Sequence, residues 1–265
     1  MDNQTIKYPI YIVSKGRYKN PLTAKMFMRE NIPFKMVIEP QEYGDYKTTI
    51  PENNILCTNF SNLGLGSFPA RNFAWEDSIN NGFDKHFLFD DNISGFYSYS
   101  RNLREKIADV KKALLALQQL DSIFSNVGMS GFNYHYFGYG VMKPFRYNVH
   151  VYSALLVTNN IPFRWRMKYN EDVDLCLQIL HNKLCTIQLN SYMAIKRSTV
   201  SKMKGGNQDE LYKGNDPKKK LLKAKSLEAV WPQYVKTVVK YGRPHHQVSW
   251  KKYFKHPLIR ANATA

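Results

Sequence analysis

The sequence predicts an α/β fold in which a Rossmann-type mixed sheet is flanked by helices and followed by a basic helical C-terminal extension. A strand–turn–helix–strand unit at residues 8–39 and an apolar strand at residues 86–89 predict the sheet, because strands that alternate with helices are typical of parallel and mixed sheets. A shift to lysine-rich composition after residue 198 predicts the extension. We therefore expect one unit at residues 1–200 and a second, packed on the first, at residues 201–265.

The turn after the first predicted strand is polar and cationic. The strand covers residues 8–13, a helix follows at 20–31, and the next strand covers 34–39. A polar turn that faces a helix N-terminus is a natural place for a nucleotide, although neither GxGxxG nor GKS/T spacing is present. A tight turn with solvated cations explains the residues equally well. The candidate nucleotide-binding residues of this turn are Ser14, Lys15, Gly16 and Arg17.

A glycine-containing loop precedes the next predicted helix and adds one more candidate. Residues 50–57 are predicted as a third strand, and residues 62–72 contain two glycines that mark a turned loop. Ser67 and Pro69 indicate a helix start, since both residue types favour the first positions of helices. Arg71 then falls on the first helical turn, where it could reach a phosphate or a base, or remain a surface cation.

The acidic residues after the fourth predicted strand are the strongest candidate for a site. Residues 86–89 run directly into Asp90, Asp91 and Asn92. Open α/β sheets bind ligands at the carboxyl ends of their strands. Adjacent carboxylate and amide oxygens can hold Mg²⁺ or Mn²⁺ there. A solvated turn is the alternative, and on these residues alone the two interpretations are equally favoured.

Two stretches in the middle of the chain are ambiguous or structural. Apolar residues recur at three- and four-residue steps from residue 102 to 126, which predicts one long helix. Residues 132–150 interleave aromatic side chains with cations. Such a stretch either stacks nucleic-acid bases or forms a β-hairpin with a packed aromatic face. Further strands are predicted at residues 153–158 and 185–189.

A pair of acids opens the helix that follows residue 170. Asn170 is a suitable N-cap, and acids in the first turn complement the helix dipole, so capping alone could explain the pattern. The functional alternative places Glu171 and Asp172 in a cleft, where a carboxylate can act as a general base or bind a hydroxyl.

The formal net charge of +17 predicts a polyanionic partner. Residues 196–260 contain 17 Lys and Arg but only four Asp and Glu, so most of the excess lies near the C-terminus. A basic, solvated surface with no nucleic-acid partner is the alternative. The same region holds Lys204 in a flexible basic stretch and a turn with His245 and His246, from which one imidazole could bind a metal.

Nothing in the sequence predicts export or membrane insertion. No run of about 18 apolar residues is present, and residues 1–4 lack the basic-then-apolar pattern of a signal peptide. The three cysteines have no CxxC spacing and are expected to be reduced. We therefore expect a monomeric cytoplasmic protein without a membrane partner, located in the infected host cell if a phage encodes it.

The order of these features resembles that of GT-A glycosyltransferases. A strand–helix–strand start, a DxD-like motif after an apolar strand and a later Glu-Asp at a helix start carry the resemblance. The stretches IYIVSKGR (10–17), TAK (23–25) and VIEPQEY (37–43) look like the TET/JBP-associated glycosyltransferases. That phage and kinetoplastid group, which includes base J glucosyltransferase, glycosylates hydroxymethylated pyrimidines in DNA. The resemblance covers roughly residues 8–200 and implies a GT-A-like catalytic domain over residues 1–200.

The resemblance also implies a metal and a donor. Asp90, Asp91 and Asn92 match the DxD position, which in the family holds Mn²⁺ or Mg²⁺ and the ribose or sugar of a nucleotide-sugar. The third position is an amide here, so the site carries less negative charge than a full DxD motif. His245, or its neighbour His246, matches the metal-binding histidine near the C-terminus of GT-A folds, and His245 is the residue that we name.

The acidic pair matches that of inverting GT-A enzymes, in which the second acid usually serves as the base. Asp172 is therefore the predicted base, with Glu171 beside it. These roles predict transfer of a hexose or pentose, from a UDP-linked donor, to the hydroxyl of hydroxymethylcytosine or hydroxymethyluracil in DNA. Metal at the acidic motif, helped by Lys15, Arg17 or Lys204, would neutralise the leaving diphosphate.

Two other functions remain open from the sequence. One is a GT-A enzyme that acts on protein or polysaccharide, for which the high charge would be incidental. The other is a non-catalytic nucleic-acid-binding protein, which explains the charge and the aromatic residues but not the acids at the strand end. The sugar, the modified base and inversion or retention are not fixed by the sequence.

Overall fold

The structure is a computed structural model that describes residues 5–100, 103–107, 109–137, 143–197, 205–206 and 217–262. The strands are β1 (Ile10–Val13), β2 (Lys35–Ile38), β3 (Ile55–Cys57), β4 (Lys85–Asp90), β5 (Ile93–Ser100), β6 (Leu103–Lys106), β7 (Val127–Tyr134), β8 (Phe145–Tyr147), β9 (Ala154–Thr158), β10 (Cys185–Lys196), β11 (Val235–Lys240) and β12 (Arg243–Val248). The helices are α1 (Leu22–Arg29), α2 (Tyr43–Tyr46), α3 (Phe68–Asn80), α4 (Val110–Ser122), α5 (Glu171–His181), α6 (Pro217–Val230) and α7 (Trp250–Tyr253).

The first ten strands form one mixed sheet in the order β3-β2-β1-β4-β9-β7-β10-β5-β6, with β8 added against β10. β11 and β12 form a separate antiparallel hairpin. Helices pack on both faces of the large sheet, which confirms the predicted mixed α/β fold.

β1 and β4 bring the two predicted binding segments together. They are parallel neighbours, and Val13 is in register with Asp90, so both strands end at the same level. β2 lies parallel on the other side of β1. The chain therefore leaves β1 and β4 in opposite directions along the sheet, and such a switch point is where open α/β sheets bind ligands.

β1 and β4, which end at this switch point, are buried on both faces of the sheet. Alternate side chains of a strand point to opposite sides of the sheet. Ile12 and Phe89 accordingly belong to one apolar cluster, together with side chains of α1 and α4. Tyr11 and Leu88 belong to another, together with side chains of α3 and α5. A strand end fixed from both faces can hold its polar side chains in a defined direction.

The long helix predicted from residue 102 to 126 was wrong in its extent. Leu103 lies in β6, which pairs antiparallel with β5, and the helix begins only at Val110. The Asp109 carboxylate accepts a hydrogen bond from the backbone N–H of Lys112 at 3.1 Å and caps the helix start. The helix-like spacing of apolar residues extends into β6. The prediction therefore missed the boundary between β6 and α4, which the Asp109 cap marks.

The aromatic stretch does not form a β-hairpin, so that alternative was wrong. β7 runs parallel to β10 and β8 runs antiparallel to it, so neither of the two strands pairs with the other. Tyr136 and Phe137 follow β7 with 56% and 60% of their surface exposed. Residues 138–142, which include Tyr139, lie outside the described residues. The stacking alternative stays a prediction.

The described C-terminal residues pack against α5. Leu227 and Trp231 share an apolar cluster with Leu177 on that helix. The Trp231 indole N–H also donates to the buried carboxylate of Asp174 at 2.7 Å. These contacts place α6 beside the helix that carries the two predicted catalytic acids. None of the helices in the described part of the chain is both long and apolar enough to cross a membrane.

Candidate active site

A cleft of about 610 Å³ opens at the carboxyl ends of β1 and β4. Its volume falls in the range of small-molecule sites, and its other walls come from the start of α5 and from α6 and β12. Most of the residues predicted from the sequence line it: Ser14, Lys15, Arg17, Arg71, Asp90, Asp91, Asn92, Glu171 and Asp172.

Two predicted residues do not line the cleft, and a third lies outside the described residues. Gly16 turns the chain with a φ of +65° and donates its backbone N–H to Glu42 Oε1 at 2.6 Å. Lys204 lies outside the described residues. His245 is exposed, whereas its neighbour His246 lines the cleft, because adjacent residues of β12 face opposite ways. Of the two histidines, His246 is therefore the one that faces the cleft, and a metal-binding role for either stays a prediction.

Asp90 lies at the centre of a cluster with two cations and a hydroxyl. Arg71 Nη2 donates to Oδ1 at 2.6 Å, while Lys196 Nζ and Ser153 Oγ donate to Oδ2 at 2.6 and 2.7 Å. Burial would raise the pKa of Asp90, but the charges of Lys196 and Arg71 hold it well below its usual range. Burial would lower the pKa of Lys196, yet Asp90 raises it. The cluster stays ionised, and its two cations and one carboxylate leave one net positive charge.

Asp91 lies buried beneath the turn that follows β1. Arg17 forms an ion pair with its carboxylate, and Ser14 Oγ donates to Oδ2 at 2.6 Å. Only 8% of Arg17 and 3% of Asp91 is exposed. Tyr46 Oη also accepts the backbone N–H of Arg17 at 3.1 Å. Burial raises the pKa of Asp91, and the Arg17 charge opposes that shift. This network joins the β1 turn to the acidic motif and fixes the shape of the cleft floor.

The acidic motif, residues 90–92, does not fit a divalent metal in this arrangement. Each of its two carboxylates already binds a cation, as described above. The Asn92 amide donates to the backbone oxygen of Arg197 at 3.0 Å, and its Oδ1 is buried without a hydrogen-bond partner in the described part of the chain. Among the described residues, no three His, Cys, Asp or Glu side chains come together as a metal site. The contacts of these residues therefore do not support the predicted Mn²⁺ or Mg²⁺ site.

Glu171 and Asp172 begin α5 and differ in their tendency to ionise. His150 Nε2 lies 3.0 Å from Asp172 Oδ2. Burial would raise the pKa of Asp172, but His150 holds it well below its usual range. Glu171 accepts a hydrogen bond from Ser67 Oγ at 2.8 Å, and burial raises its pKa. Neighbouring acids whose pKa values are pushed apart can take different roles, and Asp172 is the more acidic of the two.

Asn170 does not cap α5, contrary to the alternative drawn from the sequence. Its φ is +57°, a conformation that Asn adopts more readily than most residues. Its side chain makes no capping bond, and its Nδ2 instead donates to the backbone oxygen of Lys223 at 2.7 Å. Asn170 therefore joins the start of α5 to α6. The acids that follow it do lie in the first turn of α5, where they complement the helix dipole, so that part of the alternative remains.

The C-terminal segment supplies a basic wall. Lys219, Lys220 and Lys223 of α6 line the cleft together with Arg243 and His246 of β12. Burial lowers the pKa of His246 to about 4, so its imidazole is neutral at neutral pH. The positive charge of this wall therefore comes from the lysines and Arg243. Such side chains bind phosphate groups and position a nucleic-acid backbone.

Sequence reasoning missed three residues of the site: Lys196, Ser153 and His150. Lys196 ends the apolar strand β10, and a cation at a strand end is the same kind of signal that identified Asp90. Ser153 immediately precedes β9, the antiparallel neighbour of β4. His150 lies in the stretch of interleaved aromatic and cationic residues, for which base stacking and a β-hairpin were the alternatives. Pairwise contacts across the sheet, which the sequence does not show, give these residues their roles.

The chain is similar to known proteins over most of its length. A crystal structure from Desulfovibrio desulfuricans G20, assigned as a nucleotide-diphospho-sugar transferase, matches with a TM-score of 0.38 and 13% identity, over 70% of this chain and 80% of that chain. No curated protein matches the sequence. The family model of the TET-Associated Glycosyltransferases matches residues 8–206. That match spans about three quarters of the 265 residues, so the chain belongs to the TET-associated glycosyltransferase family.

Proposed function

We propose that this glycosyltransferase moves a sugar from a nucleotide-sugar, UDP-linked, to the hydroxyl of a hydroxymethylated pyrimidine in DNA. One observation carries the proposal: a single cleft holds a positively charged cluster, an ionised carboxylate and a basic wall. The positively charged cluster can bind a diphosphate donor, and the carboxylate can take the proton of a hydroxyl acceptor. The basic wall can bind a phosphate backbone. Family membership supports the donor class.

The Asp90 cluster suits the diphosphate of the donor. Cleavage of the bond between the anomeric carbon and the diphosphate places negative charge on the leaving oxygen, and preorganised cations stabilise such charge. Arg71 and Lys196 are held by Asp90 and supply that positive charge. Lys15, in the turn after β1, lines the same cleft and pairs with Glu39 at 3.0 Å. We assign these three cations to the donor side.

Asp172 suits the acceptor side. The acceptor hydroxyl must lose its proton as it attacks the anomeric carbon, and an ionised carboxylate can take that proton. Asp172 remains partly exposed to the cleft, and His150 keeps it ionised. Glu171 Oε1 accepts a hydrogen bond from Ser67 and lies 3.7 Å from Arg71 Nε. These contacts connect the start of α5 to the donor side. The base and the leaving-group cations thus belong to one cleft.

A nucleic-acid acceptor is favoured by the charge of the wall and of the whole chain. α6 places three lysines on the cleft, and the chain carries a net charge of +17. A neutral polysaccharide or protein segment carries no anions for these cations. DNA with modified bases offers the phosphates for the wall and the hydroxyl for Asp172.

The experiment that tests this function is a mass measurement of nucleosides. Duplex DNA with hydroxymethylcytosine, with hydroxymethyluracil or with unmodified pyrimidines is incubated with the protein and a panel of nucleotide-sugars, then digested. We expect one modified nucleoside to gain the mass of a hexose or pentose, and unmodified DNA to gain nothing. No mass gain with any donor on either modified DNA would contradict the proposal.

The basic wall should determine how DNA binding depends on salt. Replacing Lys219, Lys220 and Lys223, the three lysines of the wall, by alanine removes up to three phosphate contacts. The slope of log K against log salt is then expected to fall by about 2 to 3. Fluorescence anisotropy at several salt concentrations measures it. The control replaces Lys111 and Lys112, exposed lysines of α4 that do not line the cleft. An unchanged slope in the α6 variant would place the DNA elsewhere.

Metal dependence, expected from the sequence, is not part of this proposal. Because Arg71 and Lys196 occupy the carboxylate oxygens of Asp90 and can themselves bind the diphosphate, we expect transfer in EDTA at a rate similar to that with Mn²⁺. The assay above, repeated with EDTA, Mg²⁺ and Mn²⁺, measures this. If EDTA abolishes transfer and Mn²⁺ restores it, a metal displaces these cations from the acidic motif, and the expectation is wrong.

A further inference from the structure

The hairpin of β11 and β12 ends in a highly exposed aromatic residue. Tyr241 is 98% exposed and Val239, two residues earlier, is 76% exposed. Lys240 pairs with Arg243 across the hairpin, so Tyr241 and Gly242 form a two-residue turn. Their φ values of +51° and +68° are those of a type I′ turn. The tip is therefore a short, well-defined turn that presents one large ring to solvent.

Folding requirements do not explain a tyrosine at this position. The first position of a type I′ turn needs a positive φ, which Asn, Asp and Gly adopt readily and a bulky residue does not. Burial of the ring could compensate, but almost the whole side chain of Tyr241 is in solvent. Residues held in disfavoured backbone conformations concentrate at functional sites. Tyr241 therefore combines a disfavoured backbone conformation with a side chain that stabilises nothing within the described fold.

The charge and position of the hairpin indicate its partner. Residues 235–248 contain three exposed cations and no acid: Lys236, Lys240 and Arg243. Arg243 also lines the cleft, as does His246 three residues later. Tyr241 lies two residues before Arg243, so the hairpin tip is next to a residue of the cleft wall. Of the three cations, only Lys236 pairs with an acid in the described part of the chain, Glu228 of α6 at 3.7 Å. An exposed aromatic ring on a hairpin whose own charged residues are all cations is complementary to a nucleic acid.

We infer that Tyr241 enters the DNA beside the acceptor nucleotide and stacks on a neighbouring base. This inference rests on the proposed DNA substrate. Enzymes that do chemistry on a base in duplex DNA commonly take it out of the helical stack, and the gap that it leaves costs stacking energy. An inserted side chain can fill such a gap and hold the duplex open. The cations of β11 and β12 bind the adjacent phosphates and direct the tip into the groove.

The test compares Tyr241→Asn with Tyr241→Trp. Asparagine suits the type I′ turn but cannot stack, whereas tryptophan keeps a ring. The substrate is a duplex with one hydroxymethylated pyrimidine and a 2-aminopurine next to it, whose fluorescence reports the stacking of that base. We expect Tyr241→Asn to lower kcat/KM on this duplex about tenfold or more and to change the fluorescence response. Tyr241→Trp is expected to retain most of the kcat/KM and most of the fluorescence response.

Four controls separate stacking from folding and from the substrate itself. Tyr241→Asn should unfold at the same or a higher temperature, since it relieves the turn, and should bind the nucleotide-sugar normally. Transfer to the free hydroxymethylated nucleoside should be unchanged. Ile123→Asn, which removes an exposed apolar side chain just after the end of α4 and outside the cleft, should leave duplex transfer unchanged.

The outcomes distinguish this inference from the proposed function. If the wild-type protein transfers to duplex DNA and Tyr241→Asn does so equally well with the same fluorescence, the stacking role is excluded and the function stands. If the wild-type protein transfers to no DNA, the proposed function and the inference both fail.

Discussion

Replacing Asp172 by asparagine is expected to lower kcat for sugar transfer by about 10²- to 10⁴-fold, the usual contribution of a general base. Asparagine fills the same space at the start of α5 but cannot accept a proton. The donor should still bind, because the cations assigned to the diphosphate belong to the Asp90 cluster and the β1 turn. Initial rates on hydroxymethylated DNA, together with calorimetry of donor binding, measure the two effects separately.

The matched control is Asp45→Asn, which makes the same chemical change at an exposed carboxylate outside the cleft. It should leave the transfer rate unchanged. Because His150 holds the pKa of Asp172 well below its usual range, Asp172 stays ionised as the pH falls from about 8 to 5. We therefore expect no loss of rate from its protonation in that interval. Full turnover by Asp172→Asn would assign the base to another residue.

Replacing Asp91 by alanine is expected to destabilise the fold by about 3–5 kcal/mol, because it leaves the buried guanidinium of Arg17 without its partner. Arg17→Met should cost a similar amount by leaving the Asp91 carboxylate unpaired. Both side chains are more than nine-tenths buried, so solvent screening does not reduce the effect. Urea unfolding at neutral pH, followed by fluorescence, measures the loss in free energy of unfolding.

The double variant Arg17→Met with Asp91→Leu is the control for this prediction. Apolar replacement of both partners of a buried ion pair is often neutral, so the double variant should recover most of the stability lost in either single variant. Single variants as stable as the wild type would show that the pair is open to solvent. Asp91 would then be free for a metal, as the sequence first suggested.

The fold and the location of the site could be predicted because both follow from local patterns. β1, its turn and α1 appear in the sequence as apolar runs separated by small polar residues. Asp90 was identified because it ends an apolar strand, and Asp172 because it begins an amphipathic helix. The resemblance to GT-A enzymes implied that both acids belong to one site, and both line the same cleft.

The contacts within the site could not be predicted, because they join residues far apart in the chain. Lys196 is 106 residues from Asp90, and its role follows from the pairing of β10 with β7 and β5. Because such long-range contacts do not show in the sequence, the sequence also predicted a metal site that the contacts do not support. A DxD-like motif predicts metal ligands only while its carboxylates have no other partner, and here Arg71, Lys196 and Arg17 bind them.

Calorimetric titration of the wild-type protein with UDP-sugars tests the central claim most directly, namely that the cleft between β1, β4 and α5 binds a nucleotide-sugar. In EDTA we expect saturable binding of one donor per chain with a dissociation constant between about 1 μM and 1 mM. Lys196→Ala should weaken it, because one cation of the Asp90 cluster is lost. Absence of heat with every nucleotide-sugar, with and without Mn²⁺, while DNA still binds, would contradict the account and leave a nucleic-acid-binding protein.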